Sequence, residues 1–199
     1  MPDDAAELAR AEVYGLLAEL FHAPPSAALH AQFAVAVTAA PVRGSFLERS
    51  WGELVAAARR IDRETMGREF DALFQGIGKP EVFLYGSFHL AGKLNEKPLV
   101  DLRHDLRALG LEGAAEDGLT EDHIASLCEV MRFLIAGEDA GTSNLAAQRR
   151  FFDAHLRPWV ESLCVVIETN PGADFYRAVA AFARDFFAVE AEGFDLLDA

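Results

Sequence analysis

Apolar residues recur at intervals of three and four along almost all of this 199-residue chain, and the alternation at two that marks a half-buried strand is rare. That periodicity, with Ala, Leu, Glu and Arg abundant, restricts the chain to packed helices. The predicted fold class is all-α: one globular helical bundle of about ten helices in a single domain, large enough to bury one sizeable core. A first helix is predicted over Asp3 to Phe21, with Val13, Leu16, Leu17 and Leu20 inward, ended by Pro24 and Pro25. Ser26 is the N-cap of a second, which stops before Pro41. Ser45 to Arg60 and Ile61 to Gln75 read as two more, with no strong breaker between them. Phe83 to Leu94, Pro98 to Leu109, a helix capped by Thr120, Asn144 to His155, Pro158 to Glu168 and Gly172 to Glu190 complete the set. Phe175, Val179, Phe182 and Phe186 form the inner stripe of the last.

The sharpest interruption lies between Glu69 and Leu109. Phe70, Leu73, Phe74 and Ile77 keep helical spacing, then Gly76, Gly78 and Pro80 stop it. Glycine opens backbone conformations closed to other residues and proline removes a donor, so this stretch can turn sharply and leave polar backbone beside Phe74, Phe83 and Tyr85. Two readings stand: an interhelical loop whose aromatics fill the core, or a groove that receives a peptide. A small, acidic, glycine-bearing segment from 110 to 118 reads as a surface loop and a hinge between N-terminal and C-terminal halves.

Charge narrows the partners. Eighteen basic and 32 acidic residues give a formal charge of −14, which repels nucleic acid and anionic membranes and attracts basic partners. No apolar run approaches the ~20 residues needed to span a bilayer, so no stable membrane insertion is expected. Cys128 and Cys164 are the only cysteines and read as small buried hydrophobes. With no secretory signal, a reducing cytoplasm is the expected location. The six histidines are scattered singly, without H-E-x-x-H or paired-cysteine spacing, so no metal is expected. Ser87 lacks a G-x-S-x-G elbow, and the G-I-G of the hinge lacks a P-loop ending, so no catalytic residue and no cofactor is expected.

Several short patterns, in order, resemble the TorD/DmsD family of twin-arginine redox-enzyme maturation chaperones. They are Tyr14, Leu17, Phe21, Pro24 and Pro25 at the start; Glu69, Phe70, Leu73, Phe74, Gly76, Gly78, Pro80, Tyr85 and Ser87; the pair Asp122 and His123; and Gln148, Phe151, Phe152, His155, Pro158 and Trp159. Where many relatives carry a proline-rich run before the tyrosine, this chain has Glu81, Val82, Phe83 and Leu84, so the resemblance does not extend to target specificity. It implies a TorD-like fold and a cytoplasmic, non-catalytic chaperone. The implied partners are a twin-arginine signal peptide and the apo-form of a molybdenum-cofactor oxidoreductase subunit, with the chaperone a monomer or a domain-swapped dimer.

The candidate signal-peptide-binding residues are Tyr14, Phe74, Gly76, Gly78, Pro80, Tyr85, Ser87, Phe88, Asp122 and His123. Asp122 and His123 are expected in the first turn of their helix, where capping alone would justify an acidic side chain. The resemblance instead assigns the pair to the peptide, with Asp122 against its basic part. Ser87 either donates to a bound backbone or caps its own helix. Two readings of other classes remain: a small helical enzyme using Asp122 and His123, and a structural adaptor for a partner helix.

Overall fold

The computed structural model describes residues 2–38, 46–76, 79–111, 118–137, 141 and 143–198. In chain order the elements are α1 (Pro2–His22), α2 (Ala27–Val35), α3 (Glu48–Arg60), α4 (Arg63–Phe70), a π-helical turn (Asp71–Gln75), α5 (Gly86–Ala91), α6 (Lys97–Ala108), α7 (Ile124–Ala136), α8 (Leu145–His155), α9 (Val160–Thr169), α10 (Phe175–Asp195) and a terminal 3₁₀ turn. The fold is all-α, with ten α-helices and no strand among the described residues. The chain divides into two compact units, Met1–His22 with Leu84–Trp159, and Ala23–Phe83 with Val160–Ala199.

In the first unit α1 lies along α7. Tyr14, Leu17, Ala18 and Phe21 repeat at three and four on α1, and Ile124, Leu127, Cys128, Met131 and Leu134 do so on α7; all are buried. Each large apolar side chain so buried contributes about 1.5–3 kcal/mol relative to exposure. The inner face of α1 is thus rotated from the predicted one, since Val13 and Leu16 are only half-buried. Helices α5 and α6 pack together, and α8 lies against α7 and α6. Proline in the first turn of α6 matches the sequence reading, and Asn144 caps α8 by accepting from Ala147 N at 2.9 Å.

The second unit is built on α10, which packs against α9, α3 and α4. The predicted stripe of Phe175, Val179, Phe182 and Phe186 is buried. No side chain of its own caps α10. Instead Glu69, from the end of α4, accepts from the backbone amides of Asp174 at 2.8 Å, Phe175 at 3.0 Å and Tyr176 at 2.8 Å. A carboxylate here meets both the unpaired amides of a helix start and its partial positive charge.

One boundary stands where it was read and gains a cap, and two differ from expectation. The break between α3 and α4 is real: Ile61 is extended and Asp62 accepts from Thr65 N at 2.9 Å, an N-cap that the sequence reading passed over. Helix α5 starts at Gly86 rather than Phe83, because Tyr85 pairs antiparallel with His123 and Leu84 O accepts from Ile124 N at 2.9 Å. Helix α7 starts at Ile124 rather than after Thr120, so Asp122 and His123 precede it. The predicted hinge at 110–118 lies mostly outside the described residues; Gly110 closes α6 with φ 72°.

Candidate functional site

Both Cys128 and Cys164 are free and buried, and burial pushes the Cys164 thiol up to about 12, which leaves it unreactive. Among the described residues no group of three or more His, Cys, Asp or Glu is placed to hold a metal ion, and no helix is long and apolar enough to cross a membrane. The polar organisation of interest lies in the first unit, around the short antiparallel contact of Tyr85 with His123.

Asp122 is its hub. The residue is 3% exposed; its main-chain oxygen accepts from Gly86 N at 2.9 Å. Its Oδ2 accepts from Ser87 N at 2.8 Å and its Oδ1 from Thr120 Oγ1 at 2.6 Å. Asp122 therefore caps α5 across 35 residues of sequence rather than its own helix. His123 supplies the cap of α7, its Nδ1 accepting from Ala125 N at 3.2 Å while its ring meets Tyr85 edge-on at 4.9 Å. Burial, assisted by the nearby His22 and opposed by Asp122, lowers the His123 pKa from 6.5 to about 4. The turn before Asp122 is tied to α6 by Arg103, whose Nε donates to both Glu121 oxygens at 2.9 and 3.0 Å, and this bond holds the Glu121 carboxyl below its ordinary value.

Beside this hub opens a cleft of about 340 Å³, bordered by α5, α6 and α8. Ser87 and Trp159 are buried in its lining, and Asp101, Asp105, Asp122 and His155 supply its other polar side chains. His155 Nε2 lies 2.8 Å from Asp105 Oδ2. A carboxylate accepts, so the ring nitrogen carries the proton. Trp159 Nε1 donates to His155 O at 2.7 Å, and the indole is stacked with His89 at 5.3 Å. Gly86 admits this arrangement: a Cβ there would lie 3.1 Å from Trp159 Nε1. Among the described residues no lysine or arginine lines the cleft.

Ser87 is the exception to this satisfied polar set. It is 0% exposed, and its Oγ has no hydrogen-bond partner among the described residues. A buried unpaired hydroxyl is costly, so Ser87→Ala is expected to raise the unfolding free energy by about 1 kcal/mol. Urea unfolding checks this; a loss of stability would show that the hydroxyl is satisfied.

The predicted site residues divide between the two units. Asp122 and Ser87 meet at the cleft, whereas His123 does not line it. Tyr14 is fully buried on α1, and Tyr85 and Phe88 are half-buried around α5. Phe74, Gly76 and Pro80 belong to the other unit, where half-buried Phe74 packs edge-on to Tyr176 at 5.0 Å and to Phe70 at 5.2 Å. Gly76, with φ 36°, makes the sharp turn read from sequence; a Cβ would meet Lys79 O at 2.5 Å. Gly78 lies outside the described residues. Sequence reasoning missed Asp101 and Asp105, whose signal was their spacing of four on one face of a proline-initiated helix.

The family model for the nitrate reductase delta subunit matches residues 45–165, and the chain belongs to that family, within the TorD/DmsD/NarJ group of redox-enzyme maturation chaperones. It is a chaperone family, non-catalytic, whose members work with molybdoenzyme subunits. No curated protein matches the chain. The matched span contains the whole cleft and excludes α1 and α10.

Proposed function

We propose that this chaperone acts in the cytoplasm, binding the twin-arginine signal peptide of a molybdenum-cofactor oxidoreductase precursor and holding the apo-subunit until it matures. The observation that carries this reading is the cleft of about 340 Å³ between α5, α6 and α8, which joins apolar walls to carboxylates and, among the described residues, has no basic side chain in its lining beyond His155. A leader with a basic start and an apolar continuation matches that lining in both respects, and the formal charge of −14 steers such a peptide inward. The enzyme reading gains nothing from the geometry, because the Asp122 carboxylate and the His123 Nδ1 are each occupied in capping a helix.

Ala154 lines the cleft from an exposed position on α8, so a larger side chain there fills the space without disturbing a core. Ala154→Trp is expected to weaken binding of a labelled leader peptide at least about tenfold, near 1.4 kcal/mol, with the helical circular dichroism unchanged. Fluorescence anisotropy measures it, and undiminished affinity would count against this cleft as the binding site.

A further inference from the structure

The two carboxylates on α6 differ from Asp122 in what they leave available. Both Asp122 oxygens are taken up by Ser87 N and Thr120 Oγ1, and the residue is buried. Asp105 is 46% exposed at its side chain, lines the cleft and uses Oδ2 for His155, so its Oδ1 takes no part in that bond. Asp101 is 55% exposed and, among the described residues, pairs with Lys97, an exposed neighbour one turn away; such solvent-screened pairs are readily exchanged. At a spacing of four the two stand about 6 Å apart along one helix face, near enough for one planar cation to touch both. Deeper in the same lining lies the unpartnered Ser87 Oγ, with Leu90, Leu102 and Trp159 as apolar walls.

We propose that this cleft is a socket for one arginine side chain of the bound peptide, its guanidinium held by Asp105 and Asp101, with Ser87 Oγ accepting a remaining N–H and the methylenes lying on the apolar wall. The assignment rests on the leader-binding reading and names the chemistry by which the cleft recognises the leader. Arginine fits better than lysine because its five donors form a rigid fork that serves several acceptors at once, whereas an ammonium has three on one atom. The role of Asp122 is then to position Ser87 and α5; contact with the cation passes to α6.

The test is a matrix of three labelled peptides against four proteins. The peptides carry an arginine pair ahead of an apolar stretch, the same peptide with citrulline, a neutral isostere, at both arginines, and the same with lysine. The proteins are the wild type, Asp105→Asn, Asp101→Asn and Ser87→Ala. The wild type is expected to prefer arginine over citrulline about tenfold, with lysine between them. Asp105→Asn, which can still accept from His155, is expected to erase most of that preference while affinity for the citrulline peptide stays unchanged. Asp101→Asn and Ser87→Ala are expected to reduce the preference partly. Equal wild-type affinity for arginine and citrulline peptides overturns the socket while leaving leader binding intact, and so does a preference that survives Asp105→Asn. If no peptide binds, the leader reading fails, and the socket is judged by titrating N-acetylarginine methylamide against the amide resonances of Ser87 and Asp105. Saturable shifts that vanish in Asp105→Asn support it; their absence overturns it.

Discussion

Glu69→Ala is expected to lower the unfolding free energy by about 4 kcal/mol and the melting temperature by about 10 °C, a loss seldom produced by removing a single carboxylate. Three amides at the start of α10 donate to this side chain, at 2.8, 3.0 and 2.8 Å. The substitution leaves all three unpaired at the end of a helix that buries Phe175, Tyr176 and Val179 completely. Asp174 offers no side-chain cap in its place, since it is engaged with Arg60 at 2.7 and 2.9 Å. Glu69→Gln should lie between the two, because the amide keeps one acceptor but presents a donor to the remaining N–H groups. Urea and thermal unfolding of the three proteins measure the effect. A loss within about 0.5 kcal/mol, the range of ordinary surface changes, would mean that the contacts add nothing.

A second large effect is expected on the acid side. The His123 ring is 4% exposed, and its Nδ1 must stay unprotonated to accept from Ala125 N. Protonation would destroy that cap and put a cation at the positive end of α7. The folded pKa is accordingly about 4 against 6.5 for the ordinary group. Between those values the unfolded chain binds more protons than the folded one, so stability rises with pH across the window. The contribution is fully present above 6.5 and is lost as pH falls through 4. From about pH 7 to about pH 5 the wild type should lose about 2 kcal/mol more than His123→Asn, whose amide oxygen can cap α7 without titrating. Unfolding of both proteins at the two pH values checks this; parallel losses would show that His123 is not the group responsible.

Much of the architecture was legible because helix faces announce themselves. The buried stripe of α10, the Ser26 cap of α2 and the proline start of α6 are local in sequence, and each is where its pattern puts it. The misplaced boundaries have a common cause. Residues 83–85 carry helix-compatible apolar spacing, yet pairing with residues nearly forty positions later holds them extended, and no window of sequence contains both sides. The segment after Phe70 was read as ordinary helix, whereas Gly76 N reaches Asp71 O at 2.9 Å, one residue further than an α-turn.

The site was legible in a similar, partial way. Ser87 and Asp122 entered through resemblance to a family, and the structure gives that pairing a physical reason in the bond between Asp122 Oδ2 and Ser87 N. Glu69 opened the same resemblance without any assigned task; the structure shows it fastening α10. The pair Asp105 and His155 stands 50 residues apart, and neither side chain is unusual where it sits. Only the fold brings them to one opening.

The interleaving of the two units bears on how the chain is made. Residues 1–22 and 84–159 complete one unit, while 23–83 must wait for 160–199 to complete the other. During synthesis α1 emerges long before α7, its packing partner, and Glu69 long before the amides it caps. Growing on the ribosome, the chain therefore passes through a long interval in which apolar faces such as that of Tyr14, Leu17 and Phe21 have no native counterpart, a period of exposure to aggregation set by the order of its segments rather than by their stability.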